Sequence, residues 1–500
     1  MPSGFNGKSV VASGEMEIGG EGEKFRRAQG IERKPGKHSM ETEKSGEKMP
    51  NLAEVMSERV LLAREAVQRG NSLCVCASQH LLDTVAAIIV GIRVGSYEAL
   101  RQSLLAERGS VPIPGTPMKF SLLDAGSIVA YQTNSSVYED GSRYGACHPA
   151  AGVFPALWAL GQKASLFELI PAMVGGYEAM VCIASLGNPS FTQRGFHPTG
   201  LCAPFGAAAA AGILLRFDKE KMVGALTLAA SGSCGLMHAF QEETTQPLHV
   251  SHAVRAGIIA ALMANQGFSG DTSILERGFF PAYLGHTPSD TIADYHYFGD
   301  GWAIENAYLK PYPGCRHLHP ALDAMDQLLR QHDIRYREID SIRVETYRVA
   351  IETEIHEVRS RGDAYFNLPY ALSVRIALGR ADWDAFDVRH LENPKVRGLI
   401  NKVKVFIDEE IEKAYPKKRG ARVVLTLKRG ESLTAFQPLP RGEPELPVSF
   451  DETAEKFHRE AEGYLGKEDR DKIIIKLQGA EGQAGEIFER LTKPFHREED

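Results

Sequence analysis

From Leu52 to about Asn306 the apolar side chains of this 500-residue chain recur at the spacing of an α-helix. Leu61, Leu62, Ala66 and Val67 form one such face, followed by Leu81, Leu82, Val85, Ile88 and Ile89, by Phe154 to Leu160, and by Ile258 to Met263. Residues three and four apart share a helix face, whereas a half-buried strand needs alternation, and alternation is nearly absent here. The pattern predicts a large all-helical domain over residues 49–306. Ala207 to Ala211, a run of tiny side chains behind Pro204-Phe205-Gly206, lets neighbouring helices approach closely and belongs at the domain's centre or a subunit interface.

Beyond residue 306 the period changes. Ser341 to Val349, with Ile342, Val344 and Thr346, and Arg422 to Thr434, broken by the turn Arg429-Gly430, alternate with period two and read as strands. Tyr370 to Leu378 and Trp383 to His390 read as helices between them. Residues 307–436 are therefore expected to form an α+β lid domain, which makes the fold class mostly α with a smaller α+β lid. Residues 437–500 return to helical patterning and are expected to pack back on the helical domain, with Phe457, Tyr464, Ile473, Ile475 and Phe488 buried. Residues 1–48 are rich in Gly, Lys and Glu and cannot bury enough apolar surface to offset chain entropy, so they are expected to be a disordered tail. Met40 or Met49 would serve as an alternative start, and deletion of residues 1–48 is expected to leave activity and melting temperature unchanged.

Composition narrows the partners. A hydrophobic content of 43% suits a protein with a substantial core, and a net charge of -7 argues against nucleic acid, whose binders carry a basic excess. The seven cysteines (74, 76, 147, 182, 202, 234 and 315) are scattered without a Cys-x-x-Cys pair, which points to a reducing, cytoplasmic setting. Apolar runs such as Leu201 to Leu215 fall short of the roughly 20 residues that span a bilayer, so no membrane partner is expected. The first 48 residues also lack the apolar core of a secretory signal.

Chemistry concentrates at Lys310-Pro-Tyr-Pro-Gly-Cys-Arg-His-Leu-His-Pro320, immediately ahead of an amphipathic helix, Ala321 to Leu329. Its prolines restrict their own φ and their predecessors' conformations, so Lys310 and Arg316 are held in nearly fixed directions on a cationic loop. Such a loop suits small carboxylic acids. His317, His319 and His249 also invite a metal reading, but no His-Glu-x-x-His spacing accompanies them and the nearby prolines oppose a shared helical face, so no metal site is expected.

Four ordered segments then carry a resemblance: His148-Pro-Ala-Ala-Gly-Val-Phe-Pro-Ala, Gly195-Phe-His-Pro-Thr-Gly with Pro204-Phe-Gly-Ala-Ala-Ala-Ala-Ala, Lys310-Pro-Tyr-Pro-Gly-Cys-Arg, and Asn367-Leu-Pro-Tyr-Ala-Leu. Leu81-Leu-Asp-Thr, Pro247-Leu-His249 and Gly267-Phe-Ser-Gly270 add weaker support. Together they resemble the MmgE/PrpD family, which includes 2-methylcitrate dehydratases, cis-aconitate decarboxylases and an iminodisuccinate epimerase. The resemblance covers roughly residues 52 to 490. It implies a homodimer with a cofactor-free site in the cleft between helical domain and lid, acting on a small di- or tricarboxylate. By matching motif positions, it places the family's active-site residues on His148, His197, Lys310 and Tyr370.

The residue types fit that placement. Removing a proton α to a carboxylate creates an enediolate-like anion that fixed positive charge must meet, and Lys310 and Arg316 supply charge. Histidine suits the base and tyrosine can deliver a proton to the opposite side, so His148 and His197 are candidate bases and Tyr370 a candidate acid. Each has a structural competitor: loop bonding for a histidine before proline, solvation for Lys310, core packing for Tyr370, and an ion pair in the lid for Arg316.

The chain also departs from the family. Where the family carries Asp-aromatic-Asp/Asn-Asp, this chain has Val137-Tyr138-Glu139-Asp140; the following Thr is Gly141, and a lysine in a Thr-Lys-Pro-Leu-His context is Gln246. Dehydration needs an acid at a departing hydroxyl and decarboxylation needs charge control over a departing carboxylate. Losing an acid and a cation weakens both, so epimerisation or isomerisation is favoured, with dehydration of a 2-methylcitrate-like acid as the alternative. Arg143 and Tyr144, in the altered segment, are candidate pocket residues. A catalytically silent helical scaffold is a third reading, opposed by the presence of His148, His197, Lys310 and Tyr370 together.

Overall fold

A computed structural model of the protein describes residues 50–104, 109–242, 244–288 and 301–494. The expected N-terminal tail lies outside the described residues. The molecule is mostly α, with two small sheets and two principal hydrophobic cores.

The larger core is built by α1 (Leu52–Ala66), α2 (Ser72–Val94), α3 (Leu122–Ser135), α4 (Pro149–Leu160), α5 (Leu166–Gly187), α6 (Pro198–Leu214), α7 (Lys219–Ala229) and α8 (Thr245–Asn265). Starts are written in the sequence: Asn71, Ser121, Ser165 and Asp218 each accept a first-turn backbone N–H. Helix α6 lies at the centre, against α5, α4 and α8, with Ala207 to Ala211 fully buried. Close approach is obligatory there. A Cβ on Gly257 of α8 would come within 2.4 Å of the Pro204 carbonyl oxygen.

Three of these helices correct the estimate of apolar length made from uninterrupted runs. Ser72–Val94, Leu166–Gly187 and Thr245–Asn265 are long and apolar enough to cross a membrane. Polar residues such as His80, Asp83 and Glu178 break the runs without ending the helices. The most apolar windows of α2 and α5 are 83% and 94% buried inside the protein, the place expected of core helices. A hairpin, β1 (Val111–Ile113) and β2 (Thr116–Phe120), interrupts the helical region.

The second core belongs to a four-stranded sheet in the order β4-β3-β5-β6, covered by α9 (His319–Gln331) and α10 (Leu368–Leu378). Strand β3 (Ile339–Thr346) pairs antiparallel with β5 (Ala421–Leu427), and β5 with β6 (Ser432–Gln437) across a turn where Gly430 has φ +89°. The edge strand β4 (Val403–Ile407) joins β3 in parallel. It escaped the sequence reading because Phe406 and Ile407 are both exposed, so the alternation is broken. The helix expected at Trp383 to His390 is two separate 3-10 turns, Asp384–Phe386 and Val388–Glu392. Asp387 separates them: its backbone is extended and its carboxylate accepts the Arg389 N–H, a local bond that competes with helix continuation.

Helices α11 (Phe450–Ala461), α12 (Lys467–Gly479) and α13 (Ala484–Leu491) return to the larger core. Phe457, Tyr464, Ile473 and Phe488 are buried there, and Phe488 packs on Trp158 with ring centroids 4.2 Å apart. Ile475 is the exception at 68% exposed. Ile473 and Leu477, four residues apart, take the buried face of α12, and Ile475 falls on the opposite one.

Candidate active site

The starts of α4 and α6 carry His148 and His197 as N-caps, each followed by proline at the first helical position. Proline there loses no helix hydrogen bond, so His-Pro is a stable way to begin a helix. Neither imidazole caps its own helix, which leaves both rings for other work. The two starts are side by side, since the His148 N–H donates to Thr199 Oγ1 at 3.1 Å. The partial positive charge at each helix N-terminus therefore falls on one place.

One contact decides the state of His148. Its Nδ1 is 2.7 Å from the main-chain oxygen of Asp140, and a carbonyl only accepts. Nδ1 must therefore carry the proton, and the neutral ring presents its lone pair at Nε2. Burial, and then the nearby Lys310 ammonium, hold His148 below the usual histidine range, with Glu139 opposing. His148 is a neutral base with a fixed tautomer. Its side chain is still 22% exposed.

The Asp140 carbonyl is placed by its own side chain. Oδ1 accepts the Ala150 N–H at 3.0 Å, and Oδ2 accepts His80 Nδ1 at 2.7 Å and the Tyr177 hydroxyl at 2.6 Å. Burial alone would lower His80, but the Asp140 carboxylate raises it to about 10, which makes the pair ionic. Glu139, next door, accepts from Asn134 Nδ2 at 2.7 Å and lies 3.8 Å from His148 Nδ1, while its Oε2 is buried with no hydrogen-bond partner among the described residues.

Lys310 reaches the same place from the loop ahead of α9. Its buried ammonium donates to the Val137 carbonyl at 3.0 Å, and the Gly314 N–H donates to that oxygen at 3.1 Å. Burial lowers the Lys310 pKa and Glu139 opposes the shift. Val137 has φ +48°, a conformation that β-branched residues rarely adopt. From α11, Lys456 secures the loop's main chain: its ammonium donates to Asp83 Oδ1 at 2.7 Å and to the carbonyls of Tyr138 and Lys310, each at 3.1 Å.

His197 is buried, edge-on to Phe240 at 5.0 Å and 5.7 Å from His249 between ring centroids. Burial, then His148 and His249, hold it well below the ordinary value, and Nδ1 of each of His197 and His249 lacks a partner among the described residues. Phe240 also lines a cleft of about 630 Å³ between the cores, whose walls include Val137 and Gln246 on the helical side and Arg359, Tyr365 and Phe366 on the lid side. The structure thus brings His148, His197 and Lys310 near one another behind Val137 and Phe240 of the cleft wall, on which Gln246 also lies.

Four candidates are placed elsewhere. Tyr370 belongs to the lid core, where its hydroxyl donates to the Asp387 carbonyl at 2.6 Å and the Ala385 carbonyl at 3.2 Å, with its N–H held by Asn367 Oδ1. Arg316 is bound through Nε and Nη2 to Glu443 at 3.2 Å, and through Nη1 to His319 Nδ1 at 2.9 Å. Arg143 pairs with Glu445 and Glu443 and donates to the hydroxyl of the half-buried Tyr144. His317, once a metal candidate, is 2.5 Å from the Tyr347 hydroxyl through Nδ1. Among the described residues no three His, Cys, Asp or Glu side chains gather as a metal site would require.

The His80–Asp140 and Lys456–Asp83 pairs were missed from sequence. The signal was present: His80 and Asp83 lie three apart in an otherwise apolar helix, and buried charges need partners.

A mostly α protein with a larger helical core, a smaller sheet-based core and His148, His197 and Lys310 near one another has the make-up of a known class. Residues 71–291 match the MmgE/PrpD N-terminal domain and residues 312–479 the MmgE/PrpD C-terminal domain. The chain belongs to the MmgE/PrpD family. It is 26% identical over 365 residues to the cis-aconitate decarboxylase of Homo sapiens, covering 68% of this chain and 73% of the relative. It is 25% identical over 438 residues to the cis-aconitate decarboxylase of Aspergillus terreus (80% and 87%), and 23% over 438 residues to the cis-aconitate decarboxylase-like protein oryM of Aspergillus oryzae (82% and 90%).

Proposed function

We propose that the protein removes a proton α to a carboxylate of a small di- or tricarboxylate, with epimerisation or isomerisation as the outcome. The observation that carries this reading is the fixed tautomer of His148, which leaves Nε2 as the basic nitrogen of a ring whose charge state the Lys310 ammonium influences. Nε2 takes the α-proton, the electron pair moves into the carboxylate, and Lys310 with the two helix N-termini meets the growing charge. Water returns a proton to the opposite face of the carbanion, and the hydroxide so formed takes the proton held by His148. The step balances without Tyr370, whose hydroxyl is bound in the lid core, and without His197, which burial keeps neutral. Val137 and Gln246 favour this outcome, since neither can serve as an acid or cation for a leaving group.

Decarboxylation is the second reading, favoured by relatives named as cis-aconitate decarboxylases. NMR in D2O with iminodisuccinate, 2-methylcitrate, citrate and cis-aconitate separates the outcomes. α-Deuteration without new olefin signals is expected. Olefin growth would replace it with dehydration, carbon dioxide release with decarboxylation, and no change in any acid would favour a silent scaffold.

A further inference from the structure

The last turn of α3 brings Asn134 to the wall of the cleft, beside Ser135 and Val137. Short contacts tie it to the candidate site. Its carbonyl accepts the Val137 N–H at 3.2 Å, and the Val137 carbonyl accepts the Lys310 ammonium at 3.0 Å. Its Nδ2 donates to Glu139 Oε1 at 2.7 Å, and that oxygen lies 3.8 Å from His148 Nδ1. A carboxylate accepts, so the Asn134 amide turns Nδ2 to Glu139 and keeps Oδ1 for another donor. Oδ1 is buried and has no hydrogen-bond partner among the described residues, and the same holds for Glu139 Oε2. A buried acceptor left unmet is costly, so one carried on a cleft wall is completed by the molecule that fills the cleft.

The chemistry of that molecule follows from the acceptor. Carboxylate groups and olefinic carbons offer no O–H or N–H, so neither completes Asn134. We propose that Asn134 is a specificity-determining residue that accepts a hydrogen bond from a hydroxyl or N–H group on the substrate's carbon chain, restricting the substrates to hydroxy, amino or imino polycarboxylates. This rests on the functional reading above and narrows it. Epimerisation agrees, because an unsubstituted methylene has no configuration to invert, whereas a CH that bears oxygen or nitrogen can have one. cis-Aconitate, the acid in the relatives' names, lacks such a donor and would leave Oδ1 unmet.

The test uses the full chain and two pairs of acids that differ by one hydroxyl: malate with succinate, and citrate with tricarballylate. Calorimetry should find that wild type binds the hydroxyl acid at least about 10-fold more tightly in one pair or both. Asn134→Leu, close in size and without an acceptor, should bring that ratio to within about 2-fold. A thermal melt checks that the variant folds. The wild-type ratio needs no variant, so misfolding of Asn134→Leu does not shield the inference. A ratio near 1, or no binding, in both pairs while α-exchange is intact overturns this inference alone. A folded Asn134→Leu that keeps the wild-type ratio does the same, since the hydroxyl would then be held by another residue. Wild type that binds none of the four acids and exchanges no α-proton in D2O overturns the functional reading, and this inference with it.

Discussion

At the scale of single residues, the hydrogen bond from His148 Nδ1 to the Asp140 carbonyl does two things: it fixes which nitrogen is basic, and it holds the ring still. Because burial and Lys310 hold His148 below the usual 6.5, the base stays unprotonated under mildly acidic conditions. The acidic limb of kcat/KM should accordingly lie below pH 6.5, and a limb at or above that value would contradict the account. Lys310→Ala and His148→Ala should each cut turnover by at least about 10²-fold, the scale of a lost acid-base or anion-stabilising group. Val137→Asn should be no less stable than wild type in a thermal melt, because asparagine tolerates φ +48° and relief of that strain offsets the lost methyl contacts. That His148, His197 and Lys310 stand near one another was legible in the sequence, where proline follows each of them. The lid-core position of Tyr370 was not, since Asn-Leu-Pro-Tyr starts a helix equally well whichever way the phenol faces. Arg316 and Arg143 were ambiguous for a related reason: Glu443 and Glu445, which occupy them, lie more than a hundred residues away.

At the scale of elements, the site is assembled by the ends of helices from distant parts of the chain. Helix α11 contributes Lys456, buried beside α2 and 3.7 Å above the Tyr138 ring, where it ties Asp83 to the main chain of the Lys310 loop. Lys456→Met would leave the Asp83 carboxyl, which burial already pushes up, without its partner in the core. It should cost about 3–5 kcal/mol in denaturant unfolding, and a loss under about 1 kcal/mol would show the pair to be dispensable. Long amphipathic or apolar elements were readable because period alone defines them. Asp387 and the exposed β4 show where period fails: a side chain that bonds its own backbone ends a helix, and an edge strand need not alternate.

At the scale of the whole molecule, the His80–Asp140 pair links stability to pH. His80 is raised to about 10 in the fold against 6.5 unfolded, so its contribution is complete below pH 6.5 and is lost as pH rises through about 10. The stability gap between wild type and His80→Gln should therefore shrink from pH 6 to pH 10.5, and a constant gap would mean that His80 is neutral in the fold. The division into a helical core and a sheet-based core was visible as a change of period. The partners that join them through buried charge were not, because His80 and Asp83 announce a need for partners but Lys456, more than three hundred residues away, leaves no pattern that pairs it with Asp83. The most direct test of the account is α-deuterium incorporation from D2O into a turned-over di- or tricarboxylate, compared between wild type and His148→Gln. Exchange in wild type that falls by about 10²-fold or more in the folded variant is the predicted result; equal exchange in both would remove His148 as the base.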